Sequence, residues 1–257
     1  MKKAILLIGH GSTLPYNKRM IEFQAGLLKE EGFNDVFISF NEMNGPSIED
    51  AMKDIISKGI EELVVLPLFV ASGQHVMHDI PAKLGIPDGY GTFISDPLGK
   101  KVTIHYKEPF GNDPMIAELM TDKISAFGYD GSSAVIVIAH GSPKKDNSEL
   151  TISMVEKLRK RFPNTFCGFN EYNEPSIDDT YHRLIDEGFQ NIIVIPLFMA
   201  SGMHLEVEIP EKLGIPSGSR GGIVNVDGRD IKVQYGEPYG MDPRIGGILS
   251  KKVQEHF

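Results

Sequence analysis

Residues 67–75 read PLFVASGQH and residues 196–204 read PLFMASGMH. Each follows an apolar, β-branched run, LVVL at 63–66 and IIVI at 192–195, and each ends in a histidine beyond a small-residue loop. Continuous apolar runs of this length suit strands buried on both faces of a parallel sheet. Two copies of one strand and loop therefore point to a duplicated α/β unit with a histidine beyond a strand's carboxyl end.

The rest of the chain bears out the duplication. GHGS at 9–12 answers to AHGS at 139–142, FNEMNGPSIED at 40–50 to FNEYNEPSIDD at 169–179, DIPAKLGIP at 79–87 to EIPEKLGIP at 208–216, and YKEPFGNDP at 106–114 to YGEPYGMDP at 235–243. From residue 40 onward the offset stays at 129, as between His75 and His204, and chance similarity does not hold register over so many blocks. The chain divides into homologous halves, 1–130 and 131–257, joined near the loop-like YDGSS at 129–133. In each half, strand candidates (4–8, 35–40, 62–69 and 101–106, then AVIVIA, TFCGF, NIIVIPLF and DIKVQY) alternate with helical stretches such as 18–31 and 46–58. Pro46 and Pro175 are expected in first helical turns, and Asp113-Pro114 and Asp242-Pro243 as an N-cap followed by the first helical residue. The expectation is an α/β fold of two three-layer domains, each with a parallel sheet of about four strands, related by a pseudo-two-fold axis.

Composition narrows the function. At 41% hydrophobic and 24% charged the chain is an ordinary globular one, and its net charge of −9 argues against general nucleic-acid binding, which needs a basic stripe. One cysteine, Cys167, precludes an intrachain disulfide framework and a cysteine-only metal site, so metal chemistry would fall to histidine and carboxylate. The apolar run in MKKAILLIGHGS stops at Gly9 with no small-residue cleavage site, which favours a cytoplasmic protein, and no apolar run is long enough to span a bilayer.

His10 and His140 follow the first strand of each half, while His75 and His204 lie a short loop beyond the third. Loops at the carboxyl ends of parallel strands line ligand crevices, so all four imidazoles are expected at one functional edge, converging on one cleft if the halves face each other. Imidazole suits divalent iron, cobalt, nickel, copper and zinc, and it accepts protons near neutrality. Glu42 and Glu171, expected late in the second strand of each half, are the obvious carboxylates to complete the ligand set. Gly11, Gly73, Gly141 and Gly202 would let backbone N–H groups approach a ligand, with Ser12, Ser72, Ser142 and Ser201 as short donors. A histidine after a strand is usually structural; repetition at equivalent edge positions favours a working role. His78 faces Val207 in the repeat and is open between ligand and surface; His105, paired with Gln234, reads as structural, and His182 and His256 as solvated helix residues. The scattered methionines read as core filling. GHGSTLP lacks both the dinucleotide fingerprint and the P-loop lysine.

GHGS after the first strand, E-P-S-I opening the second helix, and P-L-F-x-A-S-G-x-H-x-x-x-[DE]-I-P after the third strand together resemble the class II tetrapyrrole chelatases, the sirohydrochlorin cobaltochelatase and nickelochelatase family, in a fused two-domain form. The resemblance covers nearly the whole chain, half by half, and carries the family's metal-site histidines over to His10, His75, His140 and His204. It implies insertion of divalent cobalt, nickel or iron, as substrate rather than resident cofactor, into sirohydrochlorin or a related tetrapyrrole, by a monomer with pseudo-dimeric halves or a homodimer. Ser72 and Ser201 stand where short archaeal members commonly carry histidine, and Gly45 stands opposite Glu174. Lys18, Arg19, Lys144 and Lys145 are candidate partners for substrate carboxylates. Two other classes remain open: a non-catalytic tetrapyrrole or metal carrier, and a serine hydrolase built on Ser12, His75 and Asp79.

Overall fold

The computed structural model describes residues 1–143 and 145–257; the side chains of Lys145 and Asp146 also lie outside what is described. Among the described residues the chain forms two compact units. One comprises residues 1–111 and 240–257, the other residues 112–239.

The first unit is built on β1 (Lys3–Gly9), β2 (Val36–Phe40), β3 (Glu62–Pro67), β4 (Gly91–Ser95) and β5 (Val102–Tyr106), in the sheet order β2-β1-β3-β5-β4. The second repeats this order with β6 (Ala134–Ala139), β7 (Thr165–Phe169), β8 (Asn191–Pro196), β9 (Gly221–Val226) and β10 (Arg229–Tyr235), as β7-β6-β8-β10-β9. Both α/β sheets are mostly parallel, as expected, with five strands rather than about four. The additional strands, β4 and β9, run antiparallel along one edge. Their physical signature was weak: GTFIS and GGIVNV begin in glycine and leave Ile94 and Ile223 exposed, so neither shows the apolar run of a central strand.

Helices α1 (Tyr16–Glu30), α2 (Ile48–Ser57) and α3 (Ile80–Leu84) belong to the first unit. Helix α2 turns Ile48, Ala51, Met52, Ile55 and Ile56 onto one sheet face, where they join Leu6, Ile8, Leu63 and Val65 in a buried cluster. Large apolar side chains buried to this degree stabilise by about 1.5–3 kcal/mol each. In the second unit α5 (Lys145–Arg159), α6 (Ile177–Asp186) and α7 (Ile209–Lys212) take the equivalent places. The N-caps of α2 and α6 are Ser47 and Ser176, whose hydroxyls accept from the N–H groups of Asp50 and Asp179. Pro46 and Pro175 therefore precede the cap and do not occupy the first turn as expected; a serine accepting from the third residue on sets the start instead. Asp113 and Asp242 cap α4 (Pro114–Ala126) and α8 (Pro243–Gln254) as expected, with proline next in line.

The compact units do not coincide with the sequence halves. Helix α4, written in the first repeat, belongs to the second unit, and α8, written in the second repeat, belongs to the first. The chain changes unit at the equivalent glycines, Gly111 and Gly240. Within the first unit, buried Gln24 of α1 donates its amide to the carbonyl of Gly240 at 2.7 Å, and Gly246 of α8 packs against Leu27, where an added Cβ would lie 3.0 Å from the leucine side chain. Within the second, Lys123 of α4 donates to the carbonyls of Glu237 and Pro238. No helix of the described residues is long and apolar enough to cross a membrane.

Candidate metal centres

Strand order explains the sites. β1 lies between β2 and β3, with Gly9 in register with Phe40 and Ile8 with Pro67. The segments leaving these three strands carry His10, Glu42 and His75. Crossovers that depart on either side of one strand open a crevice at its carboxyl end. The second sheet does the same with β7-β6-β8 for Glu171, His140 and His204.

In each unit the two imidazoles meet edge to face. The His10 and His75 rings are 4.8 Å apart between centroids at 87°, and those of His140 and His204 are 4.8 Å apart at 76°. Each Nδ1 has an oxygen acceptor. Nδ1 of His10 lies 3.1 Å from the carbonyl of Gly11, and Nδ1 of His140 lies 3.1 Å from that of Gly141. Nδ1 of His75 lies 2.7 Å from Oδ2 of Asp79, and Nδ1 of His204 lies 2.6 Å from Oε2 of Glu208. Oxygen acceptors at Nδ1 assign the ring proton there and leave the Nε2 lone pairs for an ion, the arrangement of a histidine ligand backed by a carboxylate or carbonyl. The His204 ring N–H holds the Glu208 carboxyl below its usual range, against the opposing effect of burial, with Asn170 and Lys212 adding to the depression.

His75 and His204 each open a single π-turn, His75–Asp79 and His204–Glu208, closed by the N–H groups of Ile80 and Ile209 onto the histidine carbonyls. Single π-turns frequently occur at functional sites. A buried tyrosine from the adjacent strand braces each turn: Tyr106 donates to the carbonyl of Val76 at 2.7 Å, and Tyr235 to that of Leu205 at 3.1 Å. Burial pushes both phenols well above their usual value, so they remain donors.

The units differ at the glutamate. His140, Glu171 and His204 bring ligand atoms within 4.8 Å of one another, and among the described residues they are the one group of three that does so. Glu42 instead has Oε1 3.7 Å from Nδ1 of His75, on the side facing Asp79.

The family model of CbiX matches residues 4–126 and again residues 134–256. The chain belongs to the CbiX family. Two CbiX repeats account for the duplicated sites. Among curated proteins, the sirohydrochlorin cobaltochelatase of Methanothermobacter thermautotrophicus is 35% identical over 132 residues, which are 49% of this chain and 92% of that protein. The enzyme of the same name from Methanosarcina acetivorans is 36% identical over 125 residues, 48% of this chain and 95% of its own. Among solved structures, SirB from Bacillus subtilis with Fe3+ superposes with a TM-score of 0.74 at 21% identity, covering 99% of this chain and 95% of that one. That likeness supports the CbiX fold.

Within the CbiX frame, the loop residues singled out from sequence have unequal roles. Gly11 and Gly141 are required by geometry: both have positive φ (95° and 87°), and a Cβ would lie 1.8 Å from the carbonyl oxygen of Glu42 or 1.9 Å from that of Glu171. Their N–H groups do not reach outward as expected; they donate to Asn17 and Asn147, while those of Ser12 and Ser142 donate to Asn44 and Asn173. Gly73 and Gly202 have open space where a Cβ would stand. Ser72 accepts from the Tyr90 hydroxyl at 2.6 Å, and Ser201 is half-buried. The Ser12 hydroxyl accepts from the N–H of Leu14, and His75 faces Asp79 and His10; among the described residues no hydrogen bond joins Ser12 to His75 as a hydrolase pair would need.

His78 pairs with Asp88 at 2.6 Å, outside the site. His105 is buried between Glu62 and Thr92, a structural role as expected, and His182 is exposed on α6. His256 departs from the expectation of a solvated helix residue. It lies past the end of α8, half-buried, with its ring stacked on His105 at 3.8 Å and 17°. Lys18 pairs with Glu22 at 3.8 Å and Arg19 is exposed; Lys144 and the side chain of Lys145 lie outside the described residues. Sequence reasoning missed the asparagines and lysines behind the rings. Asn41 and Asn170 directly precede the glutamates, and Lys83 and Lys212 lie in the repeated KLGIP, so identical spacing in both repeats was the available signal.

Proposed function

We propose that this protein inserts a divalent metal ion into sirohydrochlorin or a closely related tetrapyrrole, with His140, His204 and Glu171 taking the ion and His10, His75 and Glu42 forming the related set of the first unit. The observation that carries this reading is the three-residue cluster of the second unit, two imidazoles and a carboxylate whose ligand atoms lie within 4.8 Å of one another. Two imidazoles and one carboxylate hold a divalent cation without saturating it, so a tetrapyrrole nitrogen can enter before the protein donors leave. The reaction exchanges one M2+ for two protons, those of the two pyrrole N–H groups. As the ion passes to the macrocycle, the vacated Nε2 lone pairs become proton acceptors. Glu171 offsets charge while the ion is held. The names of the relatives make cobalt the first ion to test, with nickel and iron as competitors.

A carboxylate-rich substrate approaches a chain of net charge −9 against long-range repulsion, so short-range donors have to offset it. Lys18 and Arg19, on the first turn of α1 directly after the His10 loop, fit that need. Both repeats occur in one polypeptide, which makes a monomer the proposed working form.

Anaerobic absorbance spectra of sirohydrochlorin with Co2+, Ni2+ or Fe2+, with and without the protein, test the proposal. Enzyme-dependent insertion that falls when His140 and His204 are both alanine is expected. Insertion at the wild-type rate in a variant lacking all four histidines would remove the basis of the reading.

A further inference from the structure

The four imidazoles are not supported alike. His10 and His140 rest Nδ1 on the next residue's own carbonyl, whereas His75 and His204 are held by a relay of side chains. In the first unit Lys83 donates to the Asn41 backbone carbonyl and, at 2.9 Å, to its Oδ1; Nδ2 of Asn41 then lies 3.1 Å from Nδ1 of His75. In the second unit Lys212 donates to Oδ1 of Asn170 at 2.8 Å; Nδ2 of Asn170 lies 3.2 Å from Nδ1 of His204 and 3.4 Å from Oε2 of Glu208.

The chemistry of these groups gives the relay a direction. An ammonium donates only, so it can face only the oxygen end of the amide. That settles an orientation which atom positions alone leave ambiguous. With Oδ1 taken by lysine, the NH2 end is turned toward the ring and the carboxylate. An amide N–H cannot be accepted by a ring nitrogen that carries a proton; in the second unit it reaches Oε2 of Glu208, the oxygen that also takes the His204 ring N–H, whereas in the first Asp79 takes the His75 ring N–H and Nδ2 of Asn41 stands beside that ring. The short contacts to Asp79 and Glu208 keep the ring proton on Nδ1. The lysine–amide pair recurs although the carboxylate changes from Asp79 to Glu208, and the amide-to-carboxylate link is found in the second unit.

We propose that Lys83 and Lys212 are positioning residues: each locks an asparagine amide so that the carboxylate behind the ring holds His75 or His204 as the Nδ1–H tautomer, presenting Nε2 to the incoming ion. This deepens the proposed chelatase reading and rests on it for the destination of the ion. Its readouts do not depend on insertion.

The test uses 15N-histidine-labelled full-length protein in a His10→Ala/His75→Ala background, so that only the second site reports. Two-bond 15N–1H spectra of the metal-free protein at fixed pH are expected to show His204 as the Nδ1–H tautomer. Lys212→Met should shift His204 toward Nε2–H and weaken Co2+ binding, followed by its visible absorption, by about tenfold, the lower end for loss of an outer partner of a metal ligand. His140, supported by a backbone carbonyl, should keep its tautomer. Lys212→Arg, whose fork can reach both oxygens of Asn170, should recover most of the affinity. An Nε2–H signal for His204 before any lysine is changed overturns the proposal, as does a Lys212→Met protein whose His204 tautomer and Co2+ affinity stay within about twofold of its parent. If Lys212→Met does not fold, the parent spectrum and Lys83→Met in the reciprocal His140→Ala/His204→Ala background decide. Tautomer and affinity responses as expected, with no metal insertion into sirohydrochlorin, would sink the chelatase reading and leave the relay standing.

Discussion

At the scale of single residues, the difference between Glu42 and Glu171 is the one that separates the two units in the proposed reaction. Glu171 joins both histidines of its unit in one cluster, whereas Glu42 stands at the Nδ1 side of His75. Changing His140 and His204 together to alanine should therefore lower the insertion rate by at least about 10²-fold, the low end for removing positioned acid–base groups. The same change at His10 and His75 should cost less, as measured by initial rates at saturating metal. A second residue-scale prediction concerns His256. Burial first, and then the nearby His105 charge, hold it below the usual imidazole value, with Lys107 acting in the same direction and Glu255 and Glu62 opposing. As pH falls the unfolded chain takes up this proton before the folded one does. The stack's contribution is thus complete above about pH 6.5 and is lost as pH drops through that value toward the lower folded one. His256→Gln should flatten the fall in Tm between pH 7 and 5. The meeting of His10 with His75 and of His140 with His204 was legible in the sequence because each is repeated at an equivalent strand end. The stacking of His256 was not, because its ring meets a residue 151 positions away and no local pattern encodes that pairing.

At the scale of elements, the π-turns are braced by tyrosine hydroxyls and the glycine loops are fixed by close backbone approach. Gly11 and Gly141 sit at positive φ with a carbonyl oxygen where a side chain would go, so Gly141→Ala must displace the Glu171 backbone. A loss of about 2–3 kcal/mol in unfolding free energy is expected from the strained conformation and the clash together, read by denaturant titration. Gly202→Ala, with open space around it, is the control and should be nearly neutral. Tyr235→Phe removes the brace on the second π-turn and should cost about 1 kcal/mol, with weaker metal binding as its functional sign. The central strands and long helices were readable because buried parallel strands are written in unbroken apolar runs and α2 in a helical one. The edge strands and π-turns escaped for one reason: their identity comes from the neighbour they pair with, β5 for β4 and a tyrosine hydroxyl for the turn, rather than from their own composition.

At the scale of the whole molecule, duplication was legible and the exchange of α4 and α8 between units was not. A repeat records which segments share an origin; it does not record which sheet a terminal helix covers. Helix α8 carries Ile245, Ile248, Leu249 and Val253, all buried, into the first unit. A chain ending at residue 239 should therefore lose cooperative unfolding of the first unit while keeping that of the second, which holds all its own segments between residues 112 and 239. Hydrogen exchange resolved by segment would report fast exchange in β1 and α1 of the shortened chain and near-normal protection in β6 and β8.

That exchange bears on how a fused chain of this kind can be taken apart. A nick at residues 129–133, the seam suggested by the repeat, would leave each fragment without the closing helix of its own sheet and carrying one that closes the other's. The two pieces would be obligate complements, each insoluble or frayed until mixed, and would re-form from equimolar solution. Cuts at the two equivalent glycines, Gly111 and Gly240, would instead release the middle segment as a self-sufficient module. Ancestry and independence are thus bounded by different residues along the same polypeptide.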